Sequence, residues 1–420
     1  MTQARTLVFA IYLAGMLARR FLPVLVLAAC GTPAPEETAE PAPGAGPVPG
    51  SSYAADTAFL RRHDPELVTL SRGRASLVAS AKYQGIVFTS TATGAESFGY
   101  IAEDVFEAEA PDPHINGYGG ENRLWLGPEG GQYSIFFEPG VVYDRATWYT
   151  PPAIDVEPWT LARADDRTAV FAKTDTLVSR AGTEFRYRID RTVTLLDDDA
   201  VAERFAGVPG FGESPTDVSA VAYRTDNALT NAGPSAWTRE GGTICLWALD
   251  MLPGSDSVVV VYPLSRKPTG ADTVVKYFGE MGPDQLRLTD EYALLRGSGS
   301  ALAKIGLPPG LATGTGAAID YARGTLTVFD YDVDPGGTYL GMEWRDMPDP
   351  YAGDAVTTYN DPGPDAFYEL ESIGEAAFLA PGEQTEHRHT VYHFTGPVSA
   401  MEEILTAVTG VAAGEVRAFK

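Results

Sequence analysis

Hydrophobic residues in this 420-residue chain recur with period two, and glycine or proline breaks the pattern about every ten residues. That repeat turns alternate side chains to opposite faces of a strand, and short strands between frequent turns build sandwiches or barrels. Leu67–Ser71 and Ser76–Ser80 flank Arg72-Gly73-Arg74 and read as a hairpin. Ile86–Ser90, Tyr133–Phe137, Thr325–Phe329 and Phe378-Leu379 read as further strands. Phe185–Val193 alternates with one charged face, and Ser257–Tyr262 is a continuous apolar run, as in a strand covered on both sides. Helical spacing is confined to Ala55–Arg62, Ala400–Val408 and, weakly, Asp290–Leu295. The expected fold is all-β: one large antiparallel β-sandwich over residues 53–420 with few short helices.

The N-terminus reads as an address. Arg19-Arg20 precede the apolar run Phe21–Leu27, which ends in Leu27-Ala28-Ala29-Cys30-Gly31. A basic start, a short apolar core and small residues before a cysteine form a bacterial lipoprotein signal. Residues 1–29 are then a removed signal peptide, with Met16 an alternative start, and Cys30 carries the lipid. Residues 30–52 are rich in Pro, Ala and Gly and read as a tether. The expected location is the envelope of a Gram-negative bacterium, at the periplasmic face or outer membrane, with the lipid on Cys30 as the membrane partner. The formal charge of −25 becomes about −28 without the three arginines of residues 1–29. A surface of that sign repels phosphate backbones, so nucleic acid is excluded as a partner. Cys245, in an apolar run, reads as a buried small hydrophobe, and no disulfide framework is implied.

Two stretches carry candidate chemistry. In the first, Tyr368-Glu369-Leu370-Glu371 is followed by Pro381-Gly382 and then Glu386-His387-Arg388-His389-Thr390-Val391-Tyr392-His393, which reads as a hairpin. Glu369 and Glu371 share one strand face, and His387, His389 and His393 share another. Three readings stand for the histidines: ligands of a divalent metal completed by a glutamate, walls of a metal-free polar pocket, or structural residues. No cofactor is required. The second stretch, residues 114–132, surrounds His114, Asn116, Glu121, Arg123, Trp125 and Glu129 with glycines. Polar groups beside an aromatic face suit a sugar ring, so these residues are candidate substrate contacts. Lys304, an isolated cation in an apolar strand, either pairs a carboxylate or snorkels to the surface, and Tyr359-Asn360 belongs to a turn cluster at a possible rim. No Gly-x-Ser-x-Gly elbow, His-Glu-x-x-His, CxxC or dinucleotide fingerprint is present.

Gly120-Glu121-Asn122-Arg123-Leu124-Trp125 resembles the Gly-Gly-acid-x-Arg-Leu/Val-Trp stretch of galactose-mutarotase-like proteins, the aldose 1-epimerase supersandwich group. Leu370-Glu371-Ser372 resembles their Leu-Glu-Thr, and Pro381-Gly382-Glu383 with His387, Thr390, Tyr392 and Phe394 resembles their closing strand. Across residues 56–398 the chain is more similar to a lipoprotein family with a mutarotase-like fold, the domain of unknown function 6786. Tyr83-Gln84-Gly85, the Gly-Gly-Glu-Asn-Arg block, Lys304-Ile305-Gly306 and Tyr359-Asn360-Asp361 carry that similarity. The resemblance implies a carbohydrate ligand and Glu371 as general base at an anomeric hydroxyl. The epimerase Asn-x-Thr-x-His segment has no counterpart, since Asp226–Asn231 lacks a histidine. The acid role then falls to His114, His387 or His389. The same cleft without a completed acid–base pair is a glycan-binding lipoprotein, and with a metal on His387 and His389 it is a metal-dependent enzyme.

Overall fold

The computed structural model describes residues 51–208, 218–270, 273–297, 301–363 and 365–420; the signal, Cys30 and nearly all of the tether lie outside them. The strands are β1 (Val68–Arg72), β2 (Ala75–Ser80), β3 (Ile86–Thr91), β4 (Arg123–Gly127), β5 (Thr160–Ala164), β6 (Thr168–Val178), β7 (Glu184–Leu195), β8 (Ser219–Asn231), β9 (Cys245–Pro253) and β10 (Val258–Pro263). They continue as β11 (Val275–Lys276), β12 (Leu286–Leu288), β13 (Tyr292–Arg296), β14 (Ala303–Leu307), β15 (Thr315–Asp320), β16 (Thr325–Tyr331), β17 (Val356–Asp361), β18 (Phe367–Ile373) and β19 (Gln384–Thr395). The α-helices are α1 (Tyr53–His63), α2 (Glu103–Phe106), α3 (Asp198–Arg204), α4 (Val398–Thr409) and α5 (Ala413–Phe419).

A ten-stranded sheet runs β12-β13-β10-β15-β16-β19-β8-β7-β6-β5, a six-stranded sheet runs β11-β14-β17-β18-β9-β4, and β1–β3 form a third. All of the registered pairings in these sheets are antiparallel. The period-two reading therefore holds as a large antiparallel sandwich. β7 alternates exposed and buried residues along most of its length, as its sequence requires. β10 lies between β13 and β15 and is buried over Val258–Tyr262. Val258, Val260 and Tyr262 join the inter-sheet core, whereas Val259 and Val261 join an outer layer under α4 and α5. On β19, Val391 faces the inter-sheet core, while Tyr392 and Phe394 pack with Met401, Ile404 and Leu405 of α4. α4 ends where Gly410 takes φ +70, the left-handed stop that glycine adopts without a Cβ clash.

Several expectations fail. Tyr133–Phe137 and Phe378-Leu379 are not strands, and Asp290–Leu295 holds β13 in place of a helix. Most consequentially, Tyr368–Glu371 and Glu386–His393 do not form a hairpin. β18 pairs with β17 and β9 in one sheet, while β19 pairs with β16 and β8 in the other. The segment between them crosses from one layer to the next. Of the described helices, none is long and apolar enough to cross a membrane.

Candidate functional site

The six-stranded sheet collects charge on its outer face. Gly306, Thr357, Glu371, Leu249 and Arg123 stand in one rung across β14, β17, β18, β9 and β4. Lys304, Tyr359, Glu369 and Met251 form the rung two residues along, and Trp247 pairs with Trp125 on the other side. With β9 between them, the Arg123 and Glu371 backbones stand about 10 Å apart on one face. Loops roof this face: Trp125 meets Phe136 at 5.7 Å between ring centroids, and the Glu129 amide lies 3.3 Å from Met342 Sδ.

Two ion pairs interlock there. Glu371 Oε2 accepts from Thr357 Oγ1 at 2.7 Å, Trp247 Nε1 at 2.9 Å and Lys304 Nζ at 3.1 Å. Lys304 lies 5.0 Å from the Trp247 ring and 5.5 Å from the Tyr277 ring, so its ammonium is held by aromatic faces as well as carboxylates. Burial pulls the Lys304 pKa down, yet Glu371, Glu129 and Glu369 together hold it above its ordinary value. Arg123 donates to Glu369 Oε1 at 2.6 Å, with its guanidinium 4.4 Å from the Trp125 ring. Burial pushes Glu369 up to about 7, against the downward pull of Arg123. Glu371 Oε1 and Arg123 Nε are buried without a hydrogen-bond partner among the described residues.

Further acids surround this core. Glu129, half-buried, accepts from Trp344 Nε1 at 3.0 Å, and desolvation raises it. Burial lifts Asp354, which accepts from Tyr277 at 2.7 Å, to about 7, and Asp361, which accepts from Tyr359 at 2.9 Å, to about 6. Tyr277, Phe278, Tyr359 and Asp361 are half-buried and form the open side beside Lys304. Lys304 thus pairs a carboxylate and does not snorkel. Trp247, Thr357, Tyr277, Asp354 and Trp344 were not anticipated. Thr357 carries a signal in hindsight, two residues before Tyr359 on one strand, whereas Tyr277, Asp354 and Trp344 arrive on turns and loops with no local pattern.

The other candidates have different surroundings. Glu121 is sealed between the sheets, where its Oε2 accepts from the Ser90 amide at 2.9 Å, and burial raises it to about 8. Asn360 points inward and donates to the Ala301 carbonyl at 2.6 Å. Asn116 is buried against Asp155, with two hydrogen bonds of 2.9 Å. His114 is half-buried; its Nδ1 lies 2.6 Å from the Trp148 carbonyl and its ring stacks on Tyr149 at 4.3 Å. His387, His389 and His393 do share a face, but it is the inner face of the ten-stranded sheet. Strand parity separates them from Glu371: inward residues of β18 are Tyr368, Leu370 and Ser372, so both glutamates point away from the histidines. Ser372 Oγ lies 2.7 Å from His387 Nε2 and 2.8 Å from His389 Nδ1. His393 Nδ1 meets Thr327 Oγ1 at 2.9 Å, and its ring stacks on Phe98 at 4.5 Å. Desolvation pulls His387 and His393 down to about 3, so both are neutral. Among the described residues, no group of three or more His, Cys, Asp or Glu is placed to hold a metal ion.

No curated protein matches the chain. Solved structures include a galactose mutarotase-like protein from Lactobacillus casei, at 10% identity and a TM-score of 0.47, covering 78% of this chain and 99% of that one. A galactose mutarotase related enzyme from Lactobacillus acidophilus is 10% identical, with a TM-score of 0.43 over 79% of this chain and 97% of that one. Residues 51–420 match the Family of unknown function (DUF6786), and the chain belongs to that family.

Proposed function

We propose that this protein is a lipid-anchored envelope protein whose outer-face site takes a carbohydrate and transfers protons on it. The observation that carries the reading is the doubly paired set Arg123–Glu369 and Lys304–Glu371 beside aromatic faces, with Glu371 Oε1 lacking any partner. A buried carboxylate oxygen without a donor calls for a partner, and in this reading a ligand hydroxyl supplies it. Tyr359, half-buried beside Phe278 and Phe367, lies at the open side. In this reading Glu371 removes the proton of an anomeric hydroxyl while Glu369, at about 7, protonates the ring oxygen as the ring bond breaks. The reverse sequence closes the ring on the other face, so protons and bonds balance. Glu369 takes the acid role because His387 and His389 lie across the sheet and His114 Nδ1 is held at the Trp148 carbonyl. Lipidation of Cys30, carbohydrate as ligand and catalysis are all parts of this proposal.

A binding-only reading is favoured by one observation: Glu371 is fully buried, and three donors already occupy its Oε2. Calorimetry and polarimetry on a panel of aldoses separate the two. Catalysis predicts turnover in the wild type that Glu371→Gln abolishes and binding that this variant keeps. Binding without turnover in either protein leaves the glycan-binding reading, and neither binding nor turnover with any sugar overturns both.

A further inference from the structure

The strands that carry the outer-face site turn their intervening residues into the sandwich, and those residues form a continuous polar circuit. Asn122 precedes Arg123, Asp250 follows Leu249, and Ser372 follows Glu371. Ser372 Oγ lies between His387 Nε2 and His389 Nδ1. His389 Nε2 reaches Asp250 Oδ2 at 2.8 Å, and Asp250 Oδ1 accepts from Asn122 Nδ2 at 2.6 Å. Asn122 Oδ1 accepts from Arg191, which donates to Asn227 Oδ1 at 2.9 Å. Asn227 Nδ2 then donates to the main-chain carbonyl of His387 at 3.1 Å and closes the ring. Three members sit on the six-stranded sheet or its approach, and four on β7, β8 and β19. All seven are buried.

Donor logic gives the ring a direction. A carboxylate only accepts, so His389 Nε2 carries the proton that meets Asp250. With a neutral His389 ring, Nδ1 accepts from Ser372, and Ser372 accepts from His387 Nε2. Ser372, His389 and Asp250 thereby reproduce the hydrogen-bond order of an acyl-transfer triad. All three lie between the sheets, on the face of β18 opposite Glu371, so this order of groups is read as part of the inter-sheet network.

We propose that this ring is a positioning device for the outer-face site, with Asn122, Asp250 and Ser372 as positioning residues that hold β4, β9 and β18 at the register where Arg123, Trp247 and Glu371 meet. The physical basis is parity: a one-residue slip of any of these strands would send its site residue into the core and its polar partner to the outside. A fully satisfied buried network penalises such slips, because each breaks hydrogen bonds that no water replaces. Its consequence for ligand binding rests on the functional reading above; its consequence for the geometry around Trp247 does not.

The indole N–H of Trp247 reports that geometry directly, since it donates to Glu371. In 15N-labelled, detergent-solubilised full chain, Ser372→Ala is expected to move this resonance toward its position in Glu371→Ala. Ser372→Thr is expected to restore it. Thr327→Val, which removes the partner of His393 outside the ring, is expected to lower Tm and leave the resonance in place. If Ser372→Ala does not fold, Ser372→Cys is read the same way. For a sugar that binds the wild type, Ser372→Ala is expected to weaken Kd about tenfold, the equivalent of one buried hydrogen bond. A lowered Tm with an unmoved Trp247 resonance would make the ring purely structural and overturn the proposal. If no sugar binds the wild type, the functional reading fails, while the Trp247 measurement still decides the positioning role.

Discussion

Glu371 and Ser372 are adjacent in sequence and belong to different compartments. The Glu371 carboxylate receives Trp247, Lys304 and Thr357 on the outer face of the six-stranded sheet. The Ser372 hydroxyl sits between two histidines of the opposing sheet. One residue step along β18 thus separates the candidate site from the inter-sheet ring.

The Lys304–Glu371 pair is nearly inaccessible to water, so removing one partner leaves a buried charge. Lys304→Met is expected to cost about 3–5 kcal/mol of unfolding free energy. Lys304→Met combined with Glu371→Gln is expected to recover most of that loss, because neither charge then needs a partner. Urea unfolding of the two single variants and the double variant measures the coupling; equal, additive losses would show that the pair is not coupled.

Arg123 holds the Glu369 pKa down against desolvation, and the balance leaves it at about 7. Arg123→Met withdraws that pull, so the Glu369 titration is expected to move upward. Carboxyl 13C NMR of Glu369 reads this directly. A ligand-binding or turnover profile with an inflection near 7 is expected to shift the same way.

Two buried groups give opposite pH slopes. Glu121 retains its proton in the fold up to about 8 against a usual 4.5, so the folded state binds protons that the unfolded chain has released. Its contribution to stability therefore falls as pH rises from about 4.5 to about 8. His393, lowered to about 3 from 6.5, binds fewer protons in the fold, and its contribution is lost as pH falls through that window. The Tm of Glu121→Gln relative to wild type is expected to rise between pH 5 and 8, roughly the window in which the wild-type acid differs from its unfolded state. The Tm of His393→Gln relative to wild type is expected to rise as pH falls below 6.5.

Cys245 is fully buried, and desolvation raises its thiol to about 12. In a Cys30→Ser chain, a disulfide reagent is expected to leave the native protein unmodified and to titrate one thiol after denaturation. Fast native labelling would show that the core opens at this point.

Lipid anchoring predicts that the wild-type protein takes up labelled fatty acid and sediments with membranes. Cys30→Ser is expected to lose the label and to retain residues 1–29, read as a larger mass. A wild type that never takes up label would remove the anchor from the proposal.

Alternation was enough to identify β7, β16 and β19 as strands and to place His387, His389 and His393 on one face, because side-chain parity is a local property of extended backbone, and a continuous apolar run identified β10. The turn at Gly73 was equally legible, since Arg72-Gly73-Arg74 joins two alternating runs and its glycine takes φ +60. Family motifs in the sequence also singled out Arg123, Lys304 and Glu371, and strand parity added Glu369; the fold assembles all four on one sheet face. What the sequence could not decide was which sheet each strand joins. β18 pairs with β9 and β19 with β8, partners more than a hundred residues away, and no local periodicity encodes such pairing. That choice turned an expected hairpin into a crossing between layers and moved the histidines from the glutamates' side to the sealed interior. The physical reason is that parity states which residues share a face, whereas long-range burial and hydrogen bonding decide what that face meets.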